Sequence, residues 1–272
     1  MILTLTPNTA LDRVIFVDDF AFGATIRASR VVDGMGGKGT ITSYVLGQLG
    51  VSSLATGFVG GETGHRLEAM LHAAGAQTDF VHVPGETRTN YVLARNADHA
   101  HATITSAGLC PGAADASRLA EHLSRLLARA DFLHCAGTLP PGMPADWYSV
   151  VIRDAKSRGV PVLLDTSEPF LAATLRHAPA DALPDVIKPN AAEASALLGQ
   201  PIEDRAQALQ AARDLSAWGL GAVVITLGEQ GAVAVTDEGP YVILPVPVPV
   251  VNAAGAGDGF NAGLMQARLQ DK

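Results

Sequence analysis

Short β-rich runs alternating with stretches of helical spacing constrain this chain most, because such alternation has few ways to bury its apolar faces. Ile2 to Thr6, Phe132-Leu133-His134-Cys135, Val160 to Asp165, Val186-Ile187-Lys188 and Val223-Val224-Ile225-Thr226 read as strands. Ile41, Tyr44, Val45 and Leu49 recur at helical spacing and are closed by Gly50. Leu67, Met70, Leu71 and Ala74 form a second stripe, with Thr63 as its cap and Gly75 at its end. A third, after Asp115, carries Leu119, Leu123, Leu126 and Leu127. Helix-forming stretches also fall around 145–158, 191–199 and 203–218. Continuously apolar strands joined by helices predict a mostly parallel sheet covered on both faces.

Four more polar strand candidates stand outside that alternation: Val14-Ile15-Phe16-Val17, Arg30-Val31-Val32, Tyr91 to Arg95 and Thr103 to Ser106. Asn96-Ala97-Asp98-His99 is placed to turn a hairpin between the last two. These pieces predict a small separate sheet, a discontinuous lid from about 11–20, 28–34 and 87–107 within one domain spanning 1–272. Pro245, Pro247 and Pro249 read as an edge or connector.

Hydrophobic residues make up 48% of the 272, yet no uninterrupted apolar run approaches the ~18 residues of a membrane span. The surplus therefore predicts a large core and no membrane partner. A formal net charge of -8 argues against broad nucleic-acid binding, which relies on clustered cations. The opening Met1-Ile2-Leu3-Thr4-Leu5 lacks the pattern of a secretory leader, and Cys110 and Cys135 form no C-x-x-C pair. Together they predict a cytoplasmic enzyme with two reduced thiols.

Three glycine-rich or capped turns carry candidate chemistry. Asn252-Ala253-Ala254-Gly255-Ala256-Gly257-Asp258-Gly259-Phe260 delivers one carboxylate to the start of a helix, where unpaired N–H groups and the positive dipole end gather. Such a turn suits a phosphate with a base beside it, though a tight turn with Asp258 as helix cap also explains it. Gly34-Met35-Gly36-Gly37-Lys38-Gly39 is not a Walker A loop, because Val32 and Gly39 stand where that motif needs glycine and Ser or Thr. It remains either an anion- or polyol-binding entry to a helix near Thr40 or a plain turn with a solvated lysine. In Lys188-Pro189-Asn190-Ala191-Ala192-Glu193, Asn190 and Glu193 have the spacing of a capping box, and equally of a pair near hydrated Mg²⁺ and nucleotide phosphates.

These motifs, with Thr226-Leu227-Gly228 after a strand, stand in the order seen in the PfkB group of ribokinase-like carbohydrate kinases, and the resemblance runs from residue 1 to about 268. The sequence most resembles the phosphosugar branch, the group of 1-phosphofructokinase, tagatose-6-phosphate kinase and the minor 6-phosphofructokinase. The closer marks are Thr4-Leu5-Thr6-Pro7, Leu11-Asp12-Arg13, Thr87-Arg88-Thr89-Asn90 and Gly137-Thr138-Leu139-Pro140-Pro141-Gly142. The resemblance implies a three-layer α/β/α fold with a β lid and an ATP- and Mg²⁺-dependent kinase acting on a sugar phosphate. It implies Asp258 as base, with Gly255, Ala256, Gly257 and the Asp258 N–H around the transferred group. It assigns the acceptor to Asp12, Arg27, Gly37, Lys38, Arg88 and Thr138. The nucleotide side falls to Lys188, Asn190, Glu193, Thr226 and Gly228, with Glu193 holding Mg²⁺ through water.

The chain departs from that pattern at Ile41, where relatives carry a sugar-binding asparagine, at Tyr44 and at Thr103-Ile104-Thr105. Relatives also continue past the Gly-Ala-Gly-Asp helix with residues that complete the adenine pocket. The expectations are an unusual acceptor, an adenine site either incomplete or walled by another subunit, and self-association or modest stability, with the open-edged lid strands compatible with a homodimer. The alternatives are a kinase of the same fold for an unphosphorylated sugar or nucleoside, and a catalytically impaired nucleotide- or sugar-binding protein. His99-Ala100-His101 reads as solvated hairpin residues rather than a metal pair, and Trp147 and Trp218 as core.

Overall fold

The computed structural model describes residues 1–97, 100–176, 178–248 and 254–270. The larger of two sheets is ten-stranded, built from β1 (Ile2–Thr6), β4 (Ser53–Val59), β5 (Gln77–Thr78), β6 (Val81–His82), β9 (Phe132–Ala136), β10 (Val162–Asp165), β11 (Val186–Ile187), β12 (Ala222–Thr226), β13 (Ala232–Thr236) and β14 (Gly239–Ile243). Its order is β14-β13-β12-β11-β10-β9-β1-β4-β5, with β6 also paired to β4. From β12 to β5 the pairing is parallel, whereas the β12–β13 and β13–β14 pairs are antiparallel.

Successive residues of the central strands point to opposite faces, as the pleat requires. Leu3, Leu5, Leu133, Cys135, Val162, Leu164, Val223 and Ile225 join one core. It is covered by α3 (Ala113–Leu127), α4 (Trp147–Ser157), α5 (Phe170–Leu175), α6 (Ala191–Leu198) and α7 (Arg205–Ser216). Ile2, Phe132, Leu163, Ala222 and Val224 face the other way, towards α1 (Lys38–Gln48) and α8 (Ala256–Gln270). α2 (Gly61–Ala73) extends that second layer through Leu67 and Leu71. The predicted mostly parallel sheet with helices on both faces is therefore present.

The polar strand candidates form the second, four-stranded sheet: β3 (Arg30–Gly36), β2 (Ala10–Val17), β7 (Arg88–Arg95) and β8 (His101–Ile104), in that order. β2 and β7 are parallel, which brings residues far apart in sequence side by side. The predicted turn at Asp98-His99 lies outside the described residues, as do Asn252, Ala253 and Pro249.

Two helix starts differ from expectation. Thr63 is not the cap of α2, which begins at Gly61; the Thr63 N–H is met from a distance by the Glu86 carboxylate at 2.5 Å. Asp115 lies inside α3, and its carboxylate accepts from the Gly112 N–H at 3.1 Å, so the helix starts at Ala113. Trp147 is buried as expected, whereas Trp218 is 37% exposed and belongs to the surface.

Candidate active site

In an open parallel sheet, chemistry collects beyond the carboxyl ends of the strands. Here β1, β10, β11 and β12 end at or beside Thr6, Asp165, Lys188 and Thr226, and the starts of α1, α6 and α8 bring up Lys38, Glu193 and Asp258. Asp165 ties this group together. It is 2% exposed and accepts from Lys38 Nζ at 2.5 Å, Lys188 Nζ at 2.9 Å and Asn261 Nδ2 at 2.7 Å. Burial would push its carboxyl up, yet the Lys188 and Lys38 ammonium groups hold it well below the usual carboxylate range. Burial likewise opposes the charge on Lys38, but Asp165, Glu193 and Asp258 hold its ammonium above the ordinary value. A Cβ on Gly257 would sit 3.4 Å from Lys188 Nζ, so that ammonium lies against the Gly-Ala-Gly-Asp turn.

Asp258 is 6% exposed at the first turn of α8. Burial, then repulsion from Asp165, push its carboxyl up to about 7, against the pull of Lys38 and Lys188. A carboxylate so tuned takes and gives a proton near neutral pH. The turn before it needs Gly255 in the left-handed region, at φ 80°. The Asp258 and Gly259 N–H groups donate to the Gly255 carbonyl at 3.0 and 2.9 Å. This differs from the expected anion hole: the Asp258 N–H is engaged by the helix, and the N–H groups of Ala256 and Gly257 precede its first bond.

A second group faces the first. Asp12 on β2 is the register partner of Asn90 on β7, and its Oδ1 accepts from Asn90 Nδ2 at 2.8 Å. Burial raises the Asp12 carboxyl, while Asn90 and Arg88 work against the shift. Arg88 is lowered by burial and supported by Asp12, and its guanidinium donates to the Asn8 carbonyl at 3.4 Å. Asn8 Nδ2 in turn donates to Thr138 Oγ1 at 3.0 Å. Gly36 makes room for Asp12, since a Cβ there would collide with Asp12 Oδ1. Asp258 feels the charge of Asp12, so the two groups belong to one site.

The remaining expected residues divide. Asn190 and Glu193 form a full capping box at 2.9 Å in both directions, and Glu193 Oε1 also lies 3.4 Å from Lys38 Nζ, so this pair both caps α6 and reaches the charged cluster. Thr226 bridges to Asn190, and Gly228 follows at φ 57°. Gly37, at φ 83°, is the residue before α1, and it lets Lys38 open the helix. Arg27 stands apart. It is exposed between β2 and β3 and lines a shallow hollow with Asp18, Asp19 and Ile26, so the expected trio of Arg27, Lys38 and Arg88 does not gather at one point. Lys38 is drawn instead to Asp165 and Glu193.

Sequence reasoning did not single out Asp165, Asn261, Asn8 or His134. The signal for Asp165 was present, since a lone acid closes an otherwise apolar strand. His134 is fully buried on β9, and burial lowers its imidazole to about 4, so it is neutral beside this cluster.

Residues 8–272 match the family described as pfkB family carbohydrate kinase. This chain belongs to that family. The kinase is 36% identical over 270 residues to a 1-phosphofructokinase of Xanthomonas campestris pv. campestris, covering 99% of this chain and 84% of that one. It is 33% identical over 267 residues to a 1-phosphofructokinase of Rhodobacter capsulatus, covering 98% and 83%. Among solved structures, phosphofructokinase-2 from Escherichia coli in a tetrameric inhibited form superposes with a TM-score of 0.89 at 25% identity, covering 99% and 88%. A possible 1-phosphofructokinase from Thermotoga maritima superposes at 0.86 with 29% identity, covering 97% and 84%. The ribokinase-like fold and the assignment as a carbohydrate kinase follow, and these relatives support a phosphosugar kinase. No helix among the described residues is long and apolar enough to cross a membrane.

Proposed function

We propose that this kinase transfers the γ-phosphoryl group of ATP to a hydroxyl of a phosphorylated ketohexose of the fructose 1-phosphate kind. The observation that carries the reading is Asp258, a carboxyl pushed up to about 7 at a helix start, within the field of the Lys38 and Lys188 ammonium groups and across from Asp12 and Arg88. Asp258 accepts the proton of the attacking hydroxyl as the new O–P bond forms and the bond from the γ-phosphorus to the bridging oxygen breaks, with ADP as the leaving group. The N–H groups of Ala256 and Gly257 cradle the transferred group, and Lys38 and Lys188 offset the charge that spreads over its oxygens. Asp12 and Asn90 orient sugar hydroxyls, and the Arg88 fork takes the acceptor's existing phosphate.

The oxygen donors at the mouth of the cluster suit Mg²⁺, and Glu193 would hold it through water near Asn190, where it would neutralise phosphate charge. Asp165 is engaged closely by Lys38, Lys188 and Asn261, whereas Glu193 Oε1 has only the longer 3.4 Å contact with Lys38 Nζ, so Glu193 is the less tightly held carboxylate. The four-stranded sheet serves as the lid that carries Asp12, Asn90 and Arg88.

A panel of ketohexose phosphates and free sugars, assayed for ADP release, tests the reading. Turnover restricted to phosphorylated acceptors, and lost in Asp258→Asn, is the expected result. Turnover of free sugars alone would move the assignment to an unphosphorylated acceptor, and absence of any turnover to a catalytically silent nucleotide- or sugar-binding protein.

A further inference from the structure

A cluster of metal-ligating side chains stands outside the site described above. His65 and Glu68 lie three residues apart in α2 and so share one helix face. His82 reaches the same place from β6, whose register pairs it with Val59 at the end of β4, the strand that feeds α2. The Glu68 carboxylate sits between the imidazoles, with Oε2 3.5 Å from His65 Nδ1 and Oε1 3.5 Å from His82 Nε2. One donor atom from each of the three residues lies within 4.8 Å of the others. Donors bound to a tetrahedral ion at ~2.0–2.1 Å are about 3.4 Å apart, so closing on a single ion needs only small side-chain rotations.

We infer that His65, Glu68 and His82 form a binding site for a first-row divalent ion of the zinc class, with a fourth position open to water. Two imidazoles and one carboxylate are the donor set that such ions favour, whereas Mg²⁺ prefers oxygen alone. The site is partly built in advance. The His82 carbonyl accepts from Arg118 at 2.7 Å, which fixes the strand, and the Arg118 charge is met by Asp115 at 3.3 Å. Glu68 is the least exposed of the three, at 19%, while His65 and His82 open to solvent and leave a path for the ion. Glu86 adds negative charge within electrostatic reach of His65. The ion would clamp α2 to β6, from which the chain runs to Thr87, whose Oγ1 accepts from the Gly60 N–H at 3.0 Å, and on to Arg88.

Tag-free, chelator-treated protein titrated with Zn²⁺ in excess Mg²⁺ by calorimetry tests the site. The expected result is one zinc per chain, with affinity lowered about tenfold or more by His65→Ala and by His82→Ala, and unchanged by Cys110→Ser or His72→Ala. Co²⁺ in place of Zn²⁺ should give visible absorption bands that both histidine variants lose. Glu68→Gln keeps the side-chain shape and should also weaken binding, and metal-free melting curves of the two histidine variants should match the parent because both imidazoles are surface-facing. Absence of zinc binding in the parent, or equal binding in parent and both histidine variants, would overturn the inference.

Discussion

Replacing Asp258 with asparagine removes the proposed base and one buried charge, and the two effects have opposite signs. The carboxyl titrates at about 7 in the folded chain and at the ordinary 3.8 when exposed. Between those values the folded chain holds more protons than the unfolded one, so stability falls as pH rises through that window and is lowest above it. The gap corresponds to about 4 kcal/mol. The substituted amide carries no charge but must find a partner for its own donor, so the expected gain above neutral pH is about 2–4 kcal/mol. With a urea slope of about 3 kcal/mol/M, the unfolding midpoint of Asp258→Asn should exceed the parent's by about 1 M under alkaline conditions and converge with it towards pH 4. The same variant should lose roughly a hundred- to ten-thousandfold in kcat. Midpoints that stay equal, or pH curves that run parallel, would refute the account of Asp258 as a buried base held at a destabilising charge.

Asp165→Ala leaves the nearly inaccessible Lys188 ammonium without its partner and should cost about 3–5 kcal/mol by chemical denaturation. The stabilisation from Asp165 itself is complete above the unfolded value of 3.8 and is lost as pH falls below it, so parent and variant should approach one another in acid unfolding curves. Gly36→Ala pushes Asp12 from its place and should lower kcat/KM for the acceptor by about a hundredfold while leaving KM for ATP unchanged. Arg88→Ala should raise KM for a phosphorylated acceptor by roughly ten- to a hundredfold, as expected for one lost charge-assisted hydrogen bond, with kcat affected less.

The parallel sheet was legible because its strands are apolar on both faces and bounded by helical stripes. β4 escaped notice: Ser53–Val59 is rich in small residues, and its character comes from packing rather than propensity. Gly57 is required there because a Cβ would strike the Thr6 carbonyl, a constraint that arises only when two strands are side by side. The β13–β14 hairpin was missed for a related reason, since Gly-Pro at its second strand masks an edge position. At the site, local turns marked Lys38, Asn190, Glu193 and Asp258. Asp165, Asn261 and Asn8 act through partners 23 to 130 residues away in sequence, so no short motif encodes them. The misplaced expectation for Lys38 has the same origin, because its carboxylate partners come from other strands and helices.

Asp165 works as a keystone. Its two oxygens brace an ammonium from the first helix, another from the end of β11 and an amide from α8, so a loss at any contact loosens the other two. Paired truncations at Lys188 and Asn261 will therefore be non-additive, and this corner of the fold stands or gives way as one unit.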